Sequence, residues 1–221
     1  MKIIVIVRTL NEEINITEFC EGYSFADCIL VADGGSTDNT RNIANLFENV
    51  RVRIFEERQY LPNGLFFNPE PAHINFLIDW AIDERADWII LDDCDDWPTQ
   101  ALQRDARTIF EETGESMVFI DRLYIWQETQ YLPAINVSAA LWGWNPHKIT
   151  LRWPEDGLTM FDVPGPKIDP AQARILSAPY AGLHHFTRID KSARYAAWGH
   201  PQVKLEGGIY WPPEPLPEWA K

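Results

Sequence analysis

Four carboxylates fall within five residues at Asp92, Asp93, Asp95 and Asp96, interrupted only by Cys94. Acids this close repel one another, and at neutral pH the repulsion is relieved by a bound cation or by protonation. Mg²⁺ and Mn²⁺ are suited to the task, because hard divalent ions prefer oxygen and commonly bind through one or two carboxylates plus phosphate oxygens. In an extended segment Asp93 and Asp95 point to the same side. This pair is therefore expected to face one metal, with Asp92 and Asp96 as supporting acids. The plainer alternative is a solvated loop of helix-capping aspartates. It is disfavoured here because the cluster directly follows an apolar run, Trp88-Ile89-Ile90-Leu91, with the texture of a buried strand.

Two further polar clusters end apolar runs in the same way. Arg8-Thr9-Leu10-Asn11-Glu12-Glu13 follows Ile3 to Val7, and Asp33-Gly34-Gly35-Ser36-Thr37-Asp38 follows Cys28 to Ala32. The second is neither a Walker A loop, since no Gly-Lys-Ser/Thr follows, nor a GxGxxG dinucleotide fingerprint. By itself it reads equally well as a turn with Ser36 or Thr37 capping the next helix. In open α/β sheets, however, ligands collect at the carboxyl ends of strands, and three such ends carry polar clusters here.

The elements that must position them follow from periodicity. Strands are predicted at Ile3–Val7, Cys28–Ala32, Val50–Phe55 and Trp88–Leu91. Helical spacing joins Ile16, Phe19, Cys20 and Tyr23 over about residues 12–23. A second helix is expected to run to about Phe47, and a third carries Ile74, Leu77, Ile78 and Ala81 behind Pro71. A fourth, capped by Thr99, has Leu102, Ala106, Ile109 and Phe110 inside and ends at Gly114. Residues 60–71 read as a long loop. The alternation of strand and helix argues for a doubly wound, mainly parallel sheet. Beyond residue 115 a longer strand, Met117 to Trp126, precedes an irregular half rich in Trp and Pro. A Pro- and Trp-rich tail closes the chain.

Composition bounds the function. The 221 residues suit one domain, and 46% hydrophobic content is that of a globular protein. A net charge of −14, from 33 acidic and 19 basic residues, disfavours a nucleic-acid acceptor and an anionic membrane surface. Cys20, Cys28 and Cys94 are an odd set with no CxxC spacing, which argues against a disulfide framework or a structural zinc. The apolar run at the N-terminus is too short for a signal peptide, and no run approaches the roughly 18 residues of a membrane span. A soluble, cytoplasmic setting is the expectation, with the Asn136-Val137-Ser138 sequon coincidental.

These three motifs, in this order, resemble the family 2 glycosyltransferases of the GT-A fold. Thr9-Leu10-Asn11-Glu12-Glu13 matches their first-strand motif. Asp33-Gly34-Gly35-Ser36-Thr37-Asp38-Asn39-Thr40 matches their D-x-G-S-T-D-x-T segment, and Asp93-Cys94-Asp95-Asp96-Trp97-Pro98 their D-x-D-D segment. The match covers about the first 100 residues. It implies a single GT-A-type α/β domain over 1–205, with a nucleotide-sugar half (1–115), an acceptor and metal-completing half (116–205), and a tail at 206–221. The implied reaction is inverting transfer of a sugar from a nucleoside-diphosphate sugar, with a UDP-sugar as the leading donor and Mn²⁺ or Mg²⁺ as cofactor. Thr9, Asn11, Glu12 and Asp33 would line the nucleoside pocket together with Gly34, which stands where the family often has a base-reading aspartate. Asp93 would lie near the ribose and metal, and Asp95 would be the principal ligand. Asn75 sits at the family's Arg-Asn pair, where Ile74 replaces the arginine and His73 is the candidate substitute for a diphosphate contact.

In the second half the resemblance implies a late histidine on the metal. His185 is preferred to His184 because it precedes Phe186, and Arg188, Lys191 and Arg194 follow as cations for the departing diphosphate. The base that deprotonates the acceptor is sought among Glu155, Asp156 and Asp162. Trp126, Trp142, Trp144 and Trp153 are either sugar-stacking platforms or core residues. Two rivals stand beside the transferase: a nucleotidyltransferase on a related scaffold, and a silent glycan- or nucleotide-binding module.

Overall fold

The computed structural model describes residues 1–60, 64, 66–126, 129–131, 137–154, 169–185 and 214–220. Its elements in chain order are β1 (Ile3–Thr9), α1 (Ile16–Gly22), β2 (Cys28–Asp33), α2 (Thr40–Ala44), β3 (Val50–Ile54), β4 (Gln59–Tyr60), β5 (Phe66–Phe67), α3 (Glu70–Asp83), β6 (Trp88–Leu91), β7 (Asp96–Pro98), α4 (Gln100–Glu112), β8 (Met117–Trp126), β9 (Gln130–Tyr131), β10 (Val137–Trp144), β11 (Ala173–Ile175), β12 (Ala181–His184) and β13 (Glu214–Pro215).

The nucleus is a parallel block in the order β6-β1-β2-β3. β1 is apolar at every position from Ile3 to Val7 because it lies between two cores. Ile3, Val5 and Val7 join Ile16, Phe19 and Cys20 of α1 and Leu102, Ala106, Ile109 and Phe110 of α4 on one face. Ile4 and Ile6 join Ile74, Leu77, Ile78 and Ala81 of α3 on the other. Full burial of each such side chain contributes roughly 1.5–3 kcal/mol, so the block is the most strongly specified part of the chain.

Beyond β6 the sheet turns mixed. β10 runs antiparallel to both β6 and β8, while β11 and β12 lie parallel to β8. The short β7 pairs antiparallel with β12, setting Asp96 opposite His184. Of the expected tail, residues 214–220 are described. Glu214–Pro215 pairs with β9, and Leu216 and Ala220 join a small cluster with Leu123, Ile125 and Ala181. The mainly parallel mixed sheet, flanked by helices in one domain, is the fold class expected from the sequence.

Several local expectations are corrected. The first helix starts at Ile16 rather than near Glu12, because residues 12–15 form a turn in which Asn15 N and Ile16 N both donate to Glu12 O. The second covers only Thr40–Ala44, and neither Ser36 nor Thr37 caps it. Thr99 does precede α4, but its hydroxyl donates to Pro179 O instead of capping the helix. The 60–71 loop contains part of a small hairpin, β4 with β5. Trp142 and Trp144 are core residues at 1% exposure, so neither forms a sugar platform, while Trp153 is half-buried and packs against Trp144.

Candidate functional site

The parallel block brings three loops to one rim. Thr9 and Asp33 are partners at the ends of β1 and β2, and Ile6 pairs with Leu91 at the end of β6. The first two loops are interlocked. Asp33 Oδ1 accepts the backbone N–H groups of Gly35 at 3.0 Å and Ser36 at 2.9 Å, and Oδ2 accepts the hydroxyls of Thr9 at 3.1 Å and Ser36 at 2.5 Å. Asn11, held at φ 57°, accepts Thr37 N at 2.8 Å, and its own N–H donates to Ser36 Oγ at 2.8 Å. Glu12 N donates to Thr40 Oγ1 at 2.7 Å, and Glu12 Oε2 accepts Asn15 Nδ2 at 3.0 Å. Thr9, Asn11, Glu12 and Asp33 are thus brought together, and Asp33 organises the loop from a fully buried position.

Gly34 has no room for a side chain. A Cβ there would overlap the Asn68 amide, which reaches in from beyond β5 and donates from Nδ2 to Glu57 O at 2.9 Å. Asn75 ties α3 to the C-terminal half. Its amide bonds the backbone of Trp153 twice, donating to O at 2.9 Å and accepting from N at 3.0 Å. His73 does not supply the positive charge sought for a diphosphate. It is buried, stacked on Phe55 with ring centroids 4.2 Å apart, and bonded through Nε2 to Ala32 O at 2.9 Å. Burial, reinforced by the charge of Arg8, lowers its pKa to about 3, so the ring is neutral.

The aspartate cluster is a turn rather than an extended segment. β6 stops at Leu91, and Asp96 N donates to Asp93 O at 2.9 Å. Strand alternation therefore does not put Asp93 and Asp95 on one side. Asp93 stands at the rim with its side chain 47% exposed, whereas Asp95 is 4% exposed.

The other two acids have a partner that no sequence motif points to. Arg122 of β8 places Nη2 2.7 Å from Asp92 Oδ1 and 3.2 Å from Asp96 Oδ2. Tyr23 donates its hydroxyl to Asp92 Oδ2 at 2.5 Å and accepts Trp142 Nε1 at 3.3 Å. His184 Nδ1 lies 2.5 Å from Asp96 Oδ1. Burial pushes the Asp92 carboxyl well above the usual range, with Asp96 adding to the push and Arg122 opposing it. Burial also opposes charge on Arg122 and on His184. The facing carboxylates outweigh it, so both pKa values are raised. The cluster divides accordingly: Asp92 and Asp96 are neutralised from beneath by Arg122 and His184, Asp93 stands at the rim, and Asp95 is buried in the turn between them. The one sign of Arg122 in the sequence is a cation inside the largely apolar strand 117–126, next to Asp121.

The chemistry of Asp93 and Asp95 suits a hard divalent cation. Asp93 already holds a positive group, the Arg8 guanidinium, at 3.0 Å. Among the described residues no three His, Cys, Asp or Glu side chains form a complete metal cage. Two carboxylates completed by phosphate oxygens is the usual arrangement for Mg²⁺, which seldom has a dedicated all-protein site. His185 donates its backbone N–H to Asp95 O at 2.7 Å, and its ring stacks on Trp97 with centroids 3.9 Å apart. These two rings, with Ile125, Leu183 and Leu216, line a largely apolar cavity of about 280 Å³ beside the cluster. Glu155, Asp156, Asp162, Arg188, Lys191 and Arg194 lie outside the described residues.

Solved structures share this arrangement of strands and helices. The chain folds like TarS of S. aureus. The structure of TarS residues 1–349 superposes with a TM-score of 0.52 at 19% identity, over 71% of this chain and 51% of that one. The same TarS portion in complex with UDP gives a TM-score of 0.52 at 20% identity and the same coverage. Two uncharacterized proteins, one from Mycobacterium tuberculosis and one from Mycobacterium bovis, are each 24% identical over 88% of this chain and 52% of theirs. The chain thus spans about half the length of the curated relatives it matches. No protein-family model matches it. Among the described residues, no helix is long and apolar enough to cross a membrane.

Proposed function

We propose that this chain is a family 2-like glycosyltransferase that moves a sugar from a nucleoside-diphosphate sugar to an acceptor hydroxyl. The observation that carries the reading is the division of the aspartate cluster. Arg122 and His184 neutralise Asp92 and Asp96 from below, while Asp93 stands exposed at the rim, bonded to Arg8 of β1, and Asp95 lies buried in the same turn. TarS, whose fold the chain shares, has been solved with UDP, which supports a UDP-sugar as donor.

In this reading Thr9, Asn11, Glu12, Asp33 and Gly34 form the nucleoside end, and Asn75 braces its far edge. Asp93 and Asp95 would hold Mn²⁺ or Mg²⁺ together with phosphate oxygens, and His185, whose backbone N–H braces Asp95, would have to turn its ring from Trp97 to act as a third ligand. The ion, when bound, lowers the cost of negative charge on the departing diphosphate. Asn75 fixes Trp153, and the chain then enters the segment with Glu155, Asp156 and Asp162, one of which takes the proton from the acceptor hydroxyl in an inverting displacement.

Calorimetric titration with UDP in the presence and absence of Mn²⁺ tests this reading. Metal-dependent binding that is lost in Asp95→Ala, with the variant still folded, supports it. UDP binding by wild type that is the same with Mn²⁺ and in excess chelator, or that Asp95→Ala retains in full with Mn²⁺ present, sinks it. A nucleoside diphosphate as released product separates it from a nucleotidyltransferase, which would release pyrophosphate.

A further inference from the structure

Arg8 is the one charged residue in the even-numbered row of β1. Ile4 and Ile6 of that row pack against α3, and Arg8 continues the row to the rim. Its Nη2 lies 3.0 Å from Asp93 Oδ1 and 3.3 Å from Glu70 Oε1 at the start of α3. A guanidinium therefore occupies the electrostatic position beside Asp93 that a divalent ion would take. The neighbouring arginines are engaged elsewhere: Arg122 with Asp92 and Asp96, Arg41 with Ser36 O and Asp33, and Arg58 over the Phe66 ring.

The geometry points to Arg8 as a diphosphate-binding residue that makes metal binding depend on the nucleotide. This rests on the donor-binding reading above and adds a role for a residue that precedes the first matched motif. A divalent ion on Asp93 and a guanidinium still held 3.0 Å from the same carboxylate repel at such separations. A diphosphate removes the conflict. It offers the guanidinium a planar, bidentate anionic partner and supplies oxygens to the ion. Metal alone must displace Arg8 without compensation, whereas metal with the diphosphate gives Arg8 a new partner. By linkage, the nucleotide then strengthens metal binding by the same factor as the metal strengthens nucleotide binding. Glu70, on the other side of Arg8, holds the side chain at the rim during the exchange.

The test is a pair of titrations on wild type, Arg8→Gln and Arg8→Lys: Mn²⁺ without nucleotide, and UDP with saturating Mn²⁺, with uridine as the phosphate-free control. Arg8→Gln is expected to bind Mn²⁺ alone several-fold more tightly, because a competing cation is gone. It should bind UDP about tenfold more weakly and uridine as wild type does. Arg8→Lys, which keeps the charge but not the fork, should fall between. Opposite signs for Mn²⁺ and UDP are not produced by local damage, which weakens both. Unchanged UDP affinity, an equal loss for uridine, or Mn²⁺ binding no tighter than in wild type overturns the role of Arg8 while leaving the donor reading intact. Failure of wild type to bind UDP at all removes the donor reading and this inference with it.

Discussion

Arg122 Nη2 stands between two carboxylates, 2.7 Å from Asp92 and 3.2 Å from Asp96, and both acid side chains are fully buried. Removing one member of such a set is far more damaging than replacing all of it, because charge is left buried without compensation. Arg122→Leu is expected to lose about 3–5 kcal/mol of unfolding free energy. Adding Asp92→Asn and Asp96→Asn to the same chain should recover a large part of the loss. Urea denaturation of the single and triple variants checks this. A triple variant no more stable than Arg122→Leu would show that packing of the arginine stem, and not charge balance, was the larger contribution.

Asp93 and Asp95 are expected to part company when each is mutated. Asp93 is at the rim, so Asp93→Asn should change stability by no more than about 0.5 kcal/mol. Asp95 is buried in the turn, and Asp95→Asn should cost more, on the order of 1–2 kcal/mol. Both should lose most of the Mn²⁺-dependent rise in melting temperature on adding UDP, since a ligand stabilises by mass action only where it binds. Thermal scans with and without Mn²⁺ and UDP measure both effects. A full ligand-induced rise in Asp93→Asn would remove Asp93 from the metal.

Gly34 and Asn68 should be coupled, although they are far apart in the sequence. In Gly34→Ala the new methyl group displaces the Asn68 amide and breaks its 2.9 Å bond to Glu57 O. The cost should be on the order of 1 kcal/mol. In an Asn68→Ala background the same Gly34→Ala change should be nearly neutral, giving a coupling energy of about 1 kcal/mol in a double-mutant cycle. Additive effects would mean that the loop at 34–35 resists the methyl group through its own backbone.

The parts of the chain that are legible from sequence are those that one physical rule controls. β1, β2 and β6 are buried on both faces, and burial of that kind demands a continuous apolar run. The inner face of α4 follows from 3.6-residue spacing alone. The cluster at 92–96 is recognisable from its charge, but its geometry is not: strand alternation applies to Asp93 and Asp95 only if the strand continues, and it stops at Leu91. Ser36 illustrates the same limit. A serine directly after a Gly-Gly turn suits a helix cap, yet Asp33 and Asn11 compete for the same groups, and that competition is visible only once β1 and β2 are side by side. Arg122 and Tyr23 are 30 and 69 residues from Asp92, so no local pattern could join them to the site.

His73 sets an acid limit on the fold. Its pKa is lowered from 6.5 to about 3 by burial, with the charge of Arg8 adding to the effect. A group that stays neutral in the native state but protonates near pH 6.5 when unfolded draws protons to the unfolded chain. Stability from this residue is therefore complete above the unfolded value and declines as pH falls from 6.5 toward 3. Between pH 6.5 and about pH 4 the loss should be on the order of 3 kcal/mol, at about 1.4 kcal/mol per pH unit. His73→Gln keeps a donor for Ala32 O but has no proton to gain. Its unfolding free energy should fall less steeply over that interval, even though it begins lower because the stacking on Phe55 is gone. Carboxylates such as Asp27 and Glu84, whose pKa values are lowered, weaken both proteins alike at the acid end, so the difference between the two curves isolates His73. Parallel curves in urea titrations from about pH 7 down to about pH 4 would show that protonation of this ring does not oppose folding.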